Sequence, residues 1–562
     1  MASSLRGHKM YSGSQKKLLL MVLLVTLACV AGCLEDKKVL PVDADKPVAG
    51  GTYRRAFADA FIVLDPALIK DSNSHEVCRQ IYDGLLEFDE KGRLQPVIAK
   101  DWSISEDKLT YTFNLRDDIS FHKTVAGKPS LNGGRLLDAH DVLYSFNRLL
   151  KPQEDSQAAF FWMIKGAREF SSGKSAEISG IRVVASHSIA FELDKPFAPF
   201  ISLLAMCNAF VVPHEDAEGQ PGGLAAVPVG TGAFKWSGRD GETIRLVANE
   251  NYFRGRPWLE HLEFPVIRDE LERFTAFNEG RLSHVDVPDS QYRNVKQDPV
   301  RAACLIETNL WGSNYLGLNL QQAPFDNRLV RQALNYALDR ETIVRIVLNG
   351  RVQVANGILP PGVPGHNDSL TGYSYDLKRA RKLLAEAGYP DGKGFPEITL
   401  QYNRDAIHSR TAEFILANLR DIGINCVVRE LEFGDHLKTV EEGSVAFFRM
   451  GWTVDYPDPD SFLYTLFHSS NIGTGYNFSR MNNPELDALL DRARFETDIE
   501  KRIAIYHQAE KLVVDEAPWV FLHFYSAHLL HHPSVKGIKL GPMGEALMQY
   551  RHIWLTPSDV SR

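Results

Sequence analysis

The residues best placed to do chemistry lie in one run, Gly451-Trp452-Thr453-Val454-Asp455-Tyr456-Pro457-Asp458-Pro459-Asp460, directly after the strand-like segment Val445–Met450. Side chains there stand at a strand's C-terminal end, where α/β sheets hold ligands. A carboxylate in a cleft that closes and excludes water gains a charge-assisted hydrogen bond from an ammonium group. Burying either charge without the other costs several kcal/mol, so such a site rejects ligands that lack the amine. Trp452 offers a flat apolar wall, and the neighbouring backbone at Thr453 can pair with an extended chain like an added strand. Asp455 also has a plainer reading, as a turn residue capping the next helix. Asp458 and Asp460, on either side of Pro459, are expected to shape and cap that turn.

Other chemistries fail on spacing. Asp455, Asp458 and Asp460 lack the glycine and distal glutamate of an EF-hand loop. His523, His528, His531 and His532 cluster, yet no HExxH occurs, so they are expected to be solvated or core histidines rather than metal ligands. Gly230-Thr231-Gly232 is too short for a dinucleotide loop, and no GxSxG elbow is present. The sequence therefore predicts no catalytic constellation, no metal and no cofactor.

The elements that must position the run are readable from period. Leu109–Arg116 alternates as a half-buried strand, and Asp138 is placed to cap the helix after it. Asp326 is expected to cap a helix with Val330, Ala333, Leu334 and Ala337 on its inner face. Asp376 starts another, with Ala380, Leu383, Leu384 and Ala387 inward and Gly388 as the stop. Ile398–Tyr402, a helix carrying Ala412, Ile415, Leu416 and Leu419, and Ile424–Val428 read as a β-α-β unit with parallel strands. The fold class is α/β with mixed sheets.

The N-terminus says where the chain works. Lys16 and Lys17 precede an apolar core, Leu18–Val30, too short for a membrane span of roughly 20 residues. The pattern predicts a secretory signal peptide over 1–32. Its last residues, Val30-Ala31-Gly32-Cys33, resemble a bacterial lipobox, which would make Cys33 the acylated mature terminus. Residues 33–49 read as a charged linker between lipid and domain. Residues 1–32 hold four basic residues and no acid, so the remainder carries 59 Lys+Arg against 71 Asp+Glu, a formal −12. That excess argues against nucleic acid and mildly favours cationic ligands. Beyond the signal, Cys78, Cys207, Cys304 and Cys426 form no CxxC pair and are read as small buried hydrophobes.

Several segments, in order along the chain, resemble the extracellular solute-binding proteins of family 5, the oligopeptide, dipeptide and nickel receptors of ABC importers. They are Gly50–Phe57, Leu64–Leu68, Ile81–His122, Pro228–Trp236, Ala323–Val344, Ser374–Pro396, Gly451–Ser470 and Asn482–Arg494. The chain departs from the family between His122 and Asp138, where a longer connection is expected to form a surface loop.

The resemblance implies a two-lobe periplasmic binding protein with a hinge between lobes and an extra subdomain, about 90–205, in the first. Residues 50–306 plus 524–562 would form lobe I and 307–523 lobe II, with crossings near Glu307–Asn314 and Leu522–Ala527. In peptide-binding members the acid three residues after this Trp pairs with the ligand's α-ammonium, which assigns that role to Asp455. Trp311 and Asn314, where hinge meets cleft, are further candidates as wall and amide donor, with a purely structural Trp311 the alternative. The implied protein captures short peptides and passes them to an ABC permease driven by its ATPase. It would be a monomer, held to the membrane of the cell envelope by its lipid anchor. Alternatives on the same scaffold are nickel chelate, haem or oligosaccharide, and a periplasmic peptidase is the alternative of another class.

Overall fold

The computed structural model describes residues 46–151, 157–473 and 475–557. The signal, Cys33 and most of the linker therefore lie outside the described residues. Among them, no helix is long and apolar enough to cross a membrane.

Three sheets carry the architecture. In the first, Thr52–Arg54 runs parallel to His261–Phe264, and Thr243–Ala248 and Phe234–Asp240 continue it antiparallel. The second is antiparallel, in the order Ala99–Ile104, Thr110–Leu115, Ser188–Glu192, Ile181–Ala185. Its centre realises the alternation read from Leu109–Arg116: Tyr111, Phe113 and Leu115 are buried. The helix Ala139–Leu150 packs there, the Phe146 ring 4.9 Å from Phe191. Asp138 opens that helix as expected, its carboxylate accepting from the His140 amide at 2.8 Å while Asp141 accepts from the Asp138 amide at 3.0 Å.

The third sheet has seven strands, six of them in the order His284–Asp286, Trp519–His531, Leu305–Leu318, Phe447–Thr453, Ile398–Asn403, Cys426–Leu431. Ile398–Asn403 lies parallel to both Cys426–Leu431 and Phe447–Thr453, with the helix Ala406–Asp421 between the first pair in sequence. The β-α-β unit is thus present, its last strand starting two residues later than read. Asp376 and Gly388 also act as expected: Asp376 accepts from the Arg379 amide at 3.0 Å, and Gly388 takes φ +97° just past the helix end.

Three expectations need correction. Asn327, not Asp326, caps the helix Arg328–Ala337, accepting from the Leu329 amide at 3.0 Å. The turn after Gln322 holds the Asp326 amide, and the Arg331 guanidinium takes its carbonyl, so the helix opens one residue later. Cys304 is half-buried rather than core, because it precedes a strand at its surface end; Cys78, Cys207 and Cys426 are buried. The long connection after His122 is pinned as well as exposed. Val125 is buried, and the buried Asp216 accepts from the Leu131 and Asn132 amides at 2.9 and 3.1 Å.

Two long strands tie the molecule together. Leu305–Leu318 and Trp519–His531 pair antiparallel along nearly their whole length. At one end Leu529 and Leu530 join the cores beneath the first sheet and the His284–Asp286 strand. At the other, Trp311, Tyr315, Trp519 and Phe521 enter the apolar core built on helices Pro484–Phe495 and Ile499–Glu516. Pairing breaks midway: Asn309 faces Ser526 and Ser313 faces Phe524, leaving residues 310–312 against Tyr525 alone. The Tyr525 ring fills this gap, and a Cβ on Gly451 would lie 1.9 Å from its hydroxyl, so the strand beside it must carry a glycine there.

Candidate functional site

Between the two core regions lies a cavity of about 550 Å³. Beyond Thr453 the backbone turns into the helix Asp460–Phe467, and two of the three aspartates there divide the work of that turn. Asp458 Oδ1 accepts from the Asp460 amide at 2.9 Å, and the Asp458 carboxylate binds Arg502 in a fork at 2.6 and 2.7 Å. Asp460, fully buried, binds Arg494 at 2.7 and 2.8 Å and accepts from the Tyr456 hydroxyl at 2.7 Å. Capping therefore falls to Asp458, while Asp460 is the centre of a buried ion pair.

Asp455 is left without either job. Its amide donates to Ser461 Oγ at 3.2 Å, but among the described residues no donor or cation meets its carboxylate. The half-buried carboxylate lines the cavity, and burial alone pushes its pKa up to about 7. Trp452 and Thr453 line the same cavity. The Trp452 ring packs 4.9 Å from Tyr476, and its Nε1 is buried with no acceptor. Trp311 also borders it, with a backbone tied to Pro542 (2.7 Å) and Val454 (2.9 Å). Its ring is pressed by Gly92, where a Cβ would sit 2.6 Å away.

Asn314 is not brought to this cavity. Three residues along a strand from Trp311, it faces the opposite side of the sheet and lines a separate cavity with Arg449 and Tyr525. Of the expected residues, Asp455, Trp452, Thr453 and Trp311 come together. The parity of positions 311 and 314 was the signal that separates them.

The opposing wall holds charged groups that sequence reasoning missed. Arg55 ion-pairs with Glu545, lies 3.5 Å from Glu76 and 3.9 Å from Asp286, and Glu545 also meets His284 at 3.0 Å. Burial pushes the Glu545 carboxyl up, but Arg55 and His284 outweigh it and hold its pKa at about 2. For Glu76 burial wins over Arg55, and its pKa rises to about 8. Nothing local announces this cluster, since its partners come from opposite ends of the chain. Five carboxyls line the cavity (Asp71, Glu76, Asp286, Asp455 and Glu545) against two cations, Arg55 and Lys70. Arg55 is already shared among three of those carboxyls.

His523, His528 and His531 spread along one strand and His532 follows its end: His523 and His528 are buried and His531 and His532 half-buried. Among the described residues no three His, Cys, Asp or Glu side chains are grouped to hold a metal.

Residues 93–474 match the model of the bacterial extracellular solute-binding proteins, family 5. The chain is 34% identical to heme-binding protein A of Haemophilus influenzae, covering 93% of this chain and 95% of that protein. It is 31% identical to the dipeptide-binding protein of Escherichia coli K12, over 86% and 91% of the two chains. The structure of the periplasmic binding protein DppA of Helicobacter pylori, in complex with the peptide STSA, superposes with a TM-score of 0.78 at 28% identity, covering 91% of this chain and 99% of that one. The two-lobe fold is shared, and the chain belongs to the extracellular solute-binding proteins of family 5.

Proposed function

We propose that this protein is the extracytoplasmic receptor of an ABC importer and captures short peptides by their N-terminal ammonium group. The observation that carries this is Asp455: a half-buried carboxylate lining the cavity, raised to about 7 by burial and met by no donor or cation among the described residues. An incoming ammonium supplies the missing charge. Trp452 and Trp311 wall the chain that follows, and bound waters can fill the space left by side chains of different size. Haem is the second reading, prompted by the Haemophilus relative's name. Its paired propionates would face the five carboxyls of the cavity, which ranks it below peptide.

The proposed lobes are 50–306 with 524–562, and 307–523, the first including a subdomain near 90–205. The pairing break at residues 310–312 and Tyr525 supports a hinge between them. Closure around peptide presents the complex to a permease. Transport energy comes from the partner ATPase, so the proposed cycle cleaves no bond in the ligand. The proposed receptor is a monomer tethered to the membrane through acylated Cys33.

The test is retention of a tripeptide library and its N-acetylated counterpart, read by native mass spectrometry and titrated from pH 8 to pH 5. Because the unliganded carboxyl must lose its proton to receive an ammonium, and the peptide amine begins to lose its own near pH 8, affinity should be greatest between about pH 7 and pH 8. Below that it should fall by roughly tenfold per pH unit. Equal retention of the acetylated library, or affinity flat across the range, would refute the reading.

A further inference from the structure

At Asp455 the chain passes from one apolar core to another. Val454, just before it, belongs to the core built on helices Pro484–Phe495 and Ile499–Glu516. Tyr456, just after it, belongs with Met206 to the core of the second sheet. The carboxylate thus stands on a seam, with side chains from either side around it. On one side Trp452 and Tyr476 pack against the first of these cores, both half-buried and both lining the cavity. On the other stand Met206 and its neighbour Cys207, each 6% exposed and lining the same cavity. Both sides lie within reach of the Asp455 charge. Burial, and after it that charge, push up the pKa of the Cys207 thiol and take that of Tyr476 to about 12. Asp71 acts more weakly on the same thiol.

The groups around the anchor share a character. A thioether, a thiol, an indole and a phenol, none of them charged at neutral pH, offer mainly dispersion contact. An ammonium held by Asp455 fixes where the first side chain of a peptide begins, one carbon away from the nitrogen. That side chain must enter the space these four residues bound. A polar one gives up water there and gains little in return. An apolar one buries its surface against rings and sulfur. Met206 is unbranched and adjusts its shape, so first residues of different outline can be accommodated.

We propose that Met206, Cys207, Trp452 and Tyr476 form the subsite for the first side chain of the captured peptide and select large apolar residues there. The inference rests on the ammonium anchor proposed above and adds a substrate class to it, peptides that begin with leucine, methionine or an aromatic residue.

The experiment is calorimetry of the whole protein with the peptides Leu-Ala-Ala, Ala-Leu-Ala, Asn-Ala-Ala and Ala-Ala-Ala. Leu-Ala-Ala should bind about tenfold more tightly than Ala-Ala-Ala. Asn-Ala-Ala, whose first side chain is close to leucine in size but polar, should bind no more tightly than Ala-Ala-Ala. Moving the leucine to the second position should forfeit most of the gain. In Met206→Gln, which keeps the shape and adds an amide, the ratio of Leu-Ala-Ala to Ala-Ala-Ala affinity should fall toward unity. Tyr476→Ser should lower the same ratio and serves if Met206→Gln does not fold. Equal affinity for Leu-Ala-Ala and Ala-Ala-Ala, an equal gain from leucine at the second position, Asn-Ala-Ala matching Leu-Ala-Ala, or an unchanged ratio in the variants would overturn the subsite while leaving the ammonium anchor standing. Failure of all the peptides to bind would remove the anchor and the subsite together.

Discussion

Asp455→Ala is expected to abolish the retention of free-amine peptides while leaving the unliganded protein at least as stable as before. Removing one partner of a buried charge pair costs about 3–5 kcal/mol, a loss of affinity from roughly a hundredfold to several thousandfold. The stability half of the expectation follows from sign. The carboxyl's pKa is raised from 3.8 to about 7 in the fold, so its ionisation opposes folding as pH climbs from the lower value through the higher. Deleting it removes that opposition, and the thermal midpoint at pH 8 should hold or rise. Calorimetry with a peptide ligand and a melting curve together decide the matter. Unaltered affinity removes Asp455 from the role, and a sharply lowered midpoint makes it structural instead. A site residue that destabilises its own fold is what a preformed anion awaiting a cation should be.

Asp460→Ala should have the opposite profile, with a large loss of stability. Asp460 is fully buried and receives Arg494 through two hydrogen bonds and Tyr456 through a third, while the Arg494 guanidinium lies 3.1 Å over the Tyr464 ring. The substitution strands a guanidinium and a phenol, at about 3–5 kcal/mol. Burial pushes the Asp460 carboxyl up, but Arg494 outweighs it and holds its pKa below 3.8. Its contribution is therefore present above about pH 4 and lost as pH falls through the folded value. Urea unfolding at pH 7 measures the effect. Arg494→Leu combined with Asp460→Ala should be less destabilised than the sum of the two single variants, because the pair leaves no lone charge. Strict additivity would show that the two groups do not act as a pair.

The contrast between these two aspartates marks the limit of what sequence reading reached. Local features were legible because a few neighbouring residues determine them: the cap at Asp138, the start and stop at Asp376 and Gly388, and the alternation around Phe113. Asp326 failed by one position because its surroundings are set by Arg331 and the turn after Gln322. Asp455 stood out because its stretch resembles a known one. Its lack of a partner was not legible, since it depends on Asp458 and Asp460 having found Arg502 and Arg494 far along the chain. The wall formed by Arg55 and Glu545 joins the first and last parts of the protein, and no spacing rule links them. Asn314 was misplaced for a simpler reason: its type was weighed and its parity was not.

The contact between Gly92 and Trp311 has an optical consequence. The Gly92 turn, from the opening region of the chain, lies against the benzo ring of the indole, and Gly362 lies close to its Nε1. If the lobes part, the ring loses one cover and meets water, so its emission should shift to longer wavelength and become accessible to iodide quenching. The Trp311→Phe variant would identify the share of the signal that belongs to this residue. The molecule thus carries an intrinsic dye at its seam, against which the kinetics of opening can be followed without any label.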